Sequence, residues 1–273
     1  DAEDRPDPMQ LFEAWRNFQS GPSDLVCLQA PLQIRNTNKS WISMMFGIEY
    51  QALFTGLLPS LARFKMVFPL GGTSNLFKLD ALEHVGAWDP FNVTEDADLG
   101  LRLVRFGYKA SVIQRPTLEE APHSLEVWIG QRTRWFKGWM QTLLVHSREP
   151  RRLVRQIGVL ISFVCIIIFL GVLTAALVHP VIYVALGLFI YDFIQNGQMS
   201  IWLLALDGFN VLAGFGAYIA LGFLSCRGHP LRVPMWWPLL LPFYWTLSTI
   251  AAWRAVGQLI KRPFYWEKTP HGL

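Results

Sequence analysis

The sequence predicts an α/β domain followed by a bundle of transmembrane helices. Strand-like and helix-like patterns alternate over the first 150 residues, whereas long apolar runs follow Arg155. Of the 273 residues, 52% are hydrophobic and 16% are charged, which suits one domain joined to a membrane region. We therefore expect a domain at 1–150, membrane helices at 151–260 and a tail at 261–273.

The elements of the domain follow from apolar periodicity and from helix stop signals. Apolar residues recur at helical spacing in 9–20, and Gly107 ends a helix predicted at 95–106. Ser124 is a suitable N-cap for a long helix at 125–145. The remaining predicted elements are a helix at 80–85 and strands at 25–30 and 109–113.

Two segments keep more than one interpretation. Residues 41–61 are apolar but contain Glu49 and Gln51, so a helix on the membrane side of the domain and an ordinary core helix are equally favoured. Gly71 and Gly72 let the backbone either approach a ligand or turn sharply. Because neither a P-loop nor a dinucleotide-binding pattern is present, a tight turn is the favoured interpretation.

Four apolar segments are candidates for membrane spans, at 153–178, 181–194, 200–226 and 235–256. The second is short. If the second segment crosses, there are four spans, and the basic tail lies on the side where the first span begins. If it does not cross, there are three spans and the tail lies outside, although basic segments favour the cytoplasmic side. We therefore favour four crossings. Cytoplasmic flanks of membrane helices are rich in arginine, as are the residues before the first span: Arg148, Arg151, Arg152 and Arg155.

Composition argues against several classes of protein. The net charge is +4 and the pI is near 9.1, but the basic residues gather at the membrane edge and are not interleaved with exposed aromatics, so nucleic acid is not an expected partner. The cysteines are odd in number, and Cys165 and Cys226 fall within apolar segments. We expect neither a disulfide framework nor a zinc site.

Two acidic motifs could carry chemistry. The chain opens with Asp1-Ala2-Glu3-Asp4, an acidic turn of the kind that holds a divalent cation on a diphosphate. Further on, Thr94-Glu95-Asp96 begins a predicted helix. Taken alone, this second motif is best explained by Thr94 as an N-cap and by carboxylates that balance the helix dipole.

A third motif lies on the long helix predicted at 125–145. Gln131 and Gly138 each lie three to four residues from the adjacent pair Arg134 and Trp135, so the four residues share one side of the helix. Such a face offers an amide for sugar hydroxyls, an indole for the apolar side of a sugar ring and a guanidinium for a diphosphate. This combination favours a functional role for the upstream Thr94-Glu95-Asp96 as well. A belt of interfacial tryptophans is the alternative for Trp135.

In this order and spacing, the three motifs resemble family 2 of the inverting glycosyltransferases, and the membrane helices resemble its cellulose-synthase-like branch. The segment PFYWEKTPHG at 263–272 is similar to the tail of bacterial members of that branch, and the likeness extends over 1–273. The resemblance implies that 1–150 is the C-terminal portion of a GT-A-like nucleotide-sugar domain. It also implies a preceding half that is missing from this chain, so we expect the isolated fragment to be inactive.

The resemblance assigns roles to individual residues. It makes Asp96 the catalytic base, while Gln131 and Arg134 bind the donor diphosphate. Acceptor binding is assigned to Trp135 together with Glu95 and Thr94.

The resemblance also assigns a role to the opening motif: Asp1 and Glu3 bind the donor and hold its cation, Mg²⁺ or Mn²⁺. The family has Asp at both of these positions. Whether Glu3 or Asp4 is the second acidic ligand therefore stays open.

The predicted function is transfer of a hexose, with inversion, from a UDP-sugar such as UDP-glucose to a growing β-linked polysaccharide. The alternatives are a non-processive transferase with a lipid acceptor and a non-catalytic transport subunit. The expected partners are the nucleotide-sugar donor, a glycan or lipid acceptor, membrane lipids, and export or regulatory subunits. We expect a multi-pass protein of the bacterial inner membrane with a cytoplasmic catalytic domain, and a tail that gates the site.

Overall fold

The computed structural model describes residues 4–197, 201–226 and 236–267. Its strands are β1 (Arg5–Pro6), β2 (Leu25–Gln29), β3 (Leu32–Ile34), β4 (Asn75–Phe77), β5 (Lys109–Val112) and β6 (Thr117–Glu119). They form two three-stranded sheets with the orders β1-β6-β3 and β4-β2-β5. β2 pairs in parallel with β5 and antiparallel with β4. Strands predicted at 25–30 and 109–113 are confirmed as β2 and β5.

Helices surround these sheets. Within the domain they are α1 (Gln10–Ser20), α2 (Trp41–Ala52), α3 (Leu58–Arg63), α4 (Leu79–His84), α5 (Glu95–Arg105) and α6 (Leu125–His146). The predicted helices at 9–20, 80–85, 95–106 and 125–145 are confirmed, and so is the α/β character of the domain. Ser124 caps α6, because its hydroxyl accepts from the Val127 N–H at 3.3 Å.

α2 is a core helix of the domain that also contacts a long apolar helix. It continues into α3 through a π-helical turn at Leu53–Leu57. Met45, Phe46 and Ile48 are fully buried, as in a core helix. The same helix also packs against the apolar helix α10 (Ile201–Cys226).

The first two predicted spans form one helix. After the short amphipathic helix α7 (Pro150–Ile157), α8 (Val159–Ile166), a π-helical turn and α9 (Val172–Asn196) run on without a break. Within the described residues, Val159–Asn196 is the one helix long and apolar enough to cross a membrane, with 38 residues and a mean hydropathy of 2.9. The separate span predicted at 181–194 is therefore wrong. Pro180 removes one helical hydrogen bond, but it does not end a helix whose flanking residues remain apolar.

The span predicted at 235–256 lies against the domain. Its helix, α11 (Leu241–Lys261), packs along α6. Ala251, Ala252 and Ala255 are fully buried, in a cluster that also contains Phe136 and Met140 of α6. Because small side chains allow the two helices to approach closely, α11 covers α6. A bundle of several spans is therefore not confirmed.

A buried ion pair joins α2, α6 and α11. The Arg132 guanidinium forms a two-pronged salt bridge with the Glu49 carboxylate, and the Tyr244 hydroxyl donates to that carboxylate at 3.0 Å. Trp128 donates to the Tyr244 oxygen at 2.7 Å. The side chain of Arg132 is only 9% exposed. Burial opposes its charge, but Glu49 outweighs that effect and raises the pKa of Arg132 above its usual value.

Glu49→Gln should destabilise the protein by about 3–5 kcal/mol, because it leaves the Arg132 charge buried without its carboxylate. The free energy of unfolding in detergent micelles measures this loss. Glu149→Gln is the matched control: it breaks the Arg152–Glu149 pair, in which both side chains are 62% exposed, and should cost less than about 1 kcal/mol. Equal losses in the two variants would contradict the buried pair as a structural tie.

A second close contact joins α5 to α6. A Cβ atom added at Gly138 would lie 2.0 Å from the Thr94 hydroxyl oxygen, a distance that real Cβ atoms do not reach. The absence of a side chain at Gly138 therefore allows Thr94 to rest on the backbone of α6.

Gly138→Ala should lower the free energy of unfolding by about 1–3 kcal/mol, because the added methyl group collides with Thr94. Gly187→Ala on α9 is the control, since a Cβ there meets no atom within 4 Å. Alanine favours a helix over glycine, so the control should be neutral or slightly stabilising. A neutral result at Gly138 would contradict the close packing.

Candidate active site

A bend before β4 is fixed by the buried side chain of Gln29. The Gln29 amide donates to the Thr73 carbonyl oxygen at 2.8 Å, and its side-chain oxygen accepts from the Gly71 N–H at 2.8 Å. Asn75 donates to the Gly71 carbonyl oxygen at 2.6 Å. The bend at 71–75 is therefore held from both sides, which keeps its backbone in one place.

An open cavity of about 340 Å³ lies between this bend and the start of α5. Its lining combines the bend, one tryptophan and the first turn of α5: Gly72, Thr73, Ser74, Asn75, Trp88, Glu95 and Asp96. A Cβ at Gly72 would lie 3.5 Å from Asp96 Oδ2, so the bend passes close to that carboxylate. The volume falls in the range typical of small-molecule sites.

Asp96 has the properties of a general base. Burial, followed by the negative charge of Glu95, raises the pKa of Asp96 to about 6. A hydrogen bond from the Trp88 indole N–H to Asp96 Oδ1, 3.0 Å long, partly offsets this rise. The thiol of Cys27 on β2 lies within electrostatic reach. A carboxylate with a pKa near neutrality can accept a proton and still be ionised in the cell.

Trp88 belongs to the site but was not predicted from the sequence. Gly86 and Ala87 both have left-handed backbones, with φ of 84° and 52°, and the turn they form brings the chain to Trp88. Phe77 of β4 packs edge-on against the indole at 5.6 Å between ring centroids. The available signal was a tryptophan directly after a helix stop, eight residues before Asp96.

The neighbouring Asp98 is excluded as the base. Its carboxylate accepts from Arg102 at 2.6 Å and contacts the His146 ring at 2.7 Å, on the face of α5 toward the end of α6. Burial raises its pKa, but these hydrogen bonds lower it further, so the net pKa is below the usual value. Asp98 therefore fixes α5 on α6.

Thr94 and Glu95 separate in the structure. Thr94 occupies the N-cap position of α5, as predicted, but its side chain makes no cap hydrogen bond. Its hydroxyl is buried against Gly138 without a hydrogen-bond partner. Glu95 lines the cavity. Of the three acceptor-binding candidates, these two are separated: Glu95 lies at the cavity and Thr94 lies against α6.

The chain just before α5 is hydrogen-bonded to consecutive residues of α6. The Val93 N–H donates to the Gln141 side chain at 3.2 Å, and the Asn92 amide donates to Thr142 at 2.8 Å. The Thr94 N–H in turn donates to Asn92 at 3.0 Å. These contacts transmit the position of α6 to the start of α5, where Asp96 lies.

The predicted polar face of α6 does not line this cavity. Gln131 is buried, and its amide oxygen has no hydrogen-bond partner. Trp135 packs against Phe46 and Tyr50, with ring centroids 6.0 and 6.3 Å away. Arg132, which is not a member of the predicted polar face, lies over the Trp135 ring at 4.7 Å. Trp128 is fully buried, so it belongs to no interfacial belt.

Arg134 contacts the tail. It donates to the Glu267 carbonyl oxygen at 3.1 Å, and its guanidinium lies 4.8 Å from the centre of the Trp266 ring. Burial lowers the pKa of Arg134, although the nearby Glu95 carboxylate acts in the opposite direction. Arg134 is therefore close enough to the first turn of α5 to interact electrostatically with Glu95.

The described part of the tail is attached to α6. The fully buried Lys137 donates to the Tyr265 carbonyl oxygen, and Gln141 donates to that of Pro263 at 3.0 Å. The Glu267 carboxylate accepts from Arg254 at 2.7 Å. Residues 268–273 lie outside the described residues.

Of the opening acidic motif at 1–4, the structure describes only Asp4. Asp4 Oδ2 accepts from the Thr73 hydroxyl at 2.8 Å, which brings this acid to the rim of the cavity. The two predicted metal and donor ligands, Asp1 and Glu3, lie outside the described residues. Within residues 4–197, 201–226 and 236–267, no group of three or more acidic, histidine or cysteine side chains could hold a metal ion. The residues described here do not by themselves form the expected Mg²⁺ or Mn²⁺ site.

Comparison with known proteins gives relatives of one kind. A probable glycosyltransferase of Sulfolobus acidocaldarius is 26% identical over 146 residues, covering 52% of this chain and 31% of that protein. The probable glucomannan 4-beta-mannosyltransferase 1 of Arabidopsis thaliana is 27% identical over 139 residues, covering 50% and 25% respectively. The cellulose synthase catalytic subunit (UDP-forming) of Komagataeibacter sucrofermentans is 33% identical over 77 residues, covering 28% and 10%.

The aligned region spans at most 31% of the length of these relatives. The family match is more extensive, since residues 1–253 match the family described as Glycosyl transferase family group 2. The chain therefore belongs to glycosyltransferase family group 2, and its relatives include proteins of the cellulose-synthase-like type.

Proposed function

We propose that the protein is an inverting hexosyltransferase that extends a β-linked glycan from a UDP-sugar, with Asp96 as its base. One observation carries the proposal: a carboxylate with a pKa of about 6 faces a cavity that is large enough for a sugar. Family membership supports the reaction class. The relatives named as cellulose synthase and mannosyltransferase support a hexose donor.

The proposed reaction is a single displacement. Asp96 accepts the proton of the acceptor hydroxyl as its oxygen bonds to the anomeric carbon of the donor sugar. The bond from that carbon to the diphosphate oxygen breaks, and the diphosphate leaves with the electron pair. One base suffices, unlike in hydrolases that flank the bond with two carboxyl groups.

The leaving diphosphate needs a cation. Arg134 is our candidate, because its guanidinium suits a diphosphate and lies near Glu95 at the cavity. A divalent metal held by Asp1 with Glu3 or Asp4 would supply further positive charge when bound. Asp4 is the described member of that set, beside Thr73 on the cavity rim.

The tail is proposed to act as a cover. Trp266 and Glu267 contact Arg134 in this structure, so a donor diphosphate at Arg134 displaces them or shares the guanidinium with them. A segment that responds to the donor can close the site and exclude water. For the acceptor, Glu95 at the cavity is the first candidate and Trp135 the second.

Membrane insertion is part of the proposal. α8 begins beside α7, and α10 ends near α2, where a Cβ added at Gly222 would lie 3.5 Å from Ile48. The chain could thus leave the domain through α8 and α9 and return through α10. We propose this multi-pass arrangement in a bacterial inner membrane, with the domain in the cytoplasm. A lipid acceptor is the competing function, and product analysis discriminates between the two.

Asp96→Asn should lower transfer by at least ~100-fold, because it keeps the shape of the side chain and removes the base. The assay follows products that the complete protein, not the isolated fragment, makes in membranes from a panel of labelled nucleotide sugars, with donor affinity measured separately. Donor affinity should change little. The matched control is Asp80→Asn on the exposed part of α4, which should leave transfer intact. Near-normal turnover of the Asp96 variant would remove this residue from the mechanism.

Trp88→Phe should shift the acid limb of the kcat/KM profile to higher pH. The indole N–H stabilises the ionised form of Asp96, so its loss raises the pKa of this carboxyl above about 6. Activity is lost when Asp96 is protonated, so the deficit should be largest below neutrality and shrink in alkaline buffer. Trp15→Phe on the exposed side of α1 is the control. A uniform loss at every pH would mean that Trp88 only shapes the cavity wall.

A further inference from the structure

A cluster of arginines lies where the domain meets the first apolar helix. Arg151 and Arg155 are one turn apart on α7, so they share a helical face. The opposite face carries Leu153 and Ile157, both buried in a cluster that includes Leu101 of α5. α7 is thus fixed on the domain with its arginines directed outward.

The positive charge of this cluster is largely uncompensated. Arg152 pairs with Glu149 at 3.0 Å. Across the part of the chain that the structure describes, Arg148, Arg151 and Arg155 form no side-chain ion pair or hydrogen bond. Burial, and next the charge of Arg152, lower the pKa of the neighbouring Arg105. The surface therefore has a positive potential that an anion would relieve.

The stability of α7 does not explain its arginines. Arg151 and Arg152 occupy the first turn, where a cation opposes the helix dipole, and the acid at the N-cap, Glu149, pairs with Arg152 alone. An open groove of about 540 Å³ runs beside them, and its lining consists of Glu149, Pro150, Arg151, Arg152 and Arg155. The arrangement is unfavourable for the isolated helix, but it suits a bound anion.

The apolar residues that follow indicate the source of this anion. Gly158, with φ of 80°, turns the chain from α7 into α8. Directly after it, Val159, Leu160 and Phe163 are 74%, 62% and 59% exposed, at the start of the helix that is long enough to cross a membrane. A basic groove beside an exposed apolar surface matches the two parts of a phospholipid, its phosphate group and its acyl chains.

We propose that the groove of α7 binds the phosphate headgroup of an anionic phospholipid, whose acyl chains lie along α8. The site is separate from the cavity at Asp96. It rests on the proposed membrane insertion of α8 and α9, and it sets the depth at which the domain meets the bilayer. The arginines would then hold α7 at the level of the headgroups.

Native mass spectrometry of the full chain in detergent, titrated with phosphatidylglycerol or phosphatidylcholine, tests the proposal. We expect tighter binding of phosphatidylglycerol, and a loss of that preference by about 25-fold in Arg151→Gln/Arg155→Gln, since each basic residue near an anionic surface is worth about fivefold. The matched control is Arg16→Gln/Arg63→Gln, which removes two exposed charges elsewhere on the domain and should keep the preference.

Three outcomes would overturn the proposal. Equal affinity for the two lipids, or an unchanged preference in the α7 variant, would mean that the groove selects no headgroup. Displacement of phosphatidylglycerol by glycerol phosphate at equal concentration would identify a site for soluble anions. A second experiment distinguishes failure of the headgroup site from failure of the proposed membrane insertion. The same proteins are bound to phosphatidylcholine vesicles, washed with carbonate and sedimented. Loss of the wild-type chain from the vesicles would refute the membrane insertion itself.

Discussion

The contact between Thr94 and Gly138 is the constraint on which the rest of the site depends. It places the start of α5 directly on the backbone of α6, closer than any side chain at Gly138 would permit. Asp96 follows two residues later and turns into the cavity, while Asp98 is held on the other side by His146. The position of the proposed base is thus set by helix packing.

α6 connects the cavity to the rest of the protein through buried charges. Arg132 binds Glu49 of α2 among aromatic rings, and Lys137 binds the backbone of the tail at Tyr265. Each buried cation is costly unless it is paired or hydrogen-bonded, so each fixes the segment that supplies its partner. As a result, α2, the tail and the start of α5 all take their positions from one helix. A shift of α6 would therefore move several parts of the site together.

The electrostatics of the cavity follow from its construction. The bend at 71–75 is held by Gln29 and narrows the space beside Asp96, which removes water from that carboxylate. The like charge of Glu95 adds to the effect, and the Trp88 indole limits it. A carboxyl group between these influences has a pKa near neutrality, whereas hydrogen bonds with His146 and Arg102 lower the pKa of Asp98. The same helix turn therefore supplies one carboxylate that fixes the fold and one that lines the cavity with a raised pKa.

The sequence by itself determined the family and the order of strands and helices in the domain, and it singled out Asp96 as the candidate base, because these depend on local periodicity and on motifs whose chemistry can be read residue by residue. It could not show that the Thr94 side chain packs on Gly138 instead of hydrogen-bonding to the first turn of α5, nor that Trp88 reaches Asp96 from a separate turn. It also separated 181–194 from the preceding helix, with which the structure makes it continuous, and it could not show that α11 packs along α6, because hydropathy does not distinguish lipid contact from contact with another helix. Only the tertiary structure decided which apolar face meets which partner, since burial and pairing depend on residues distant in the chain.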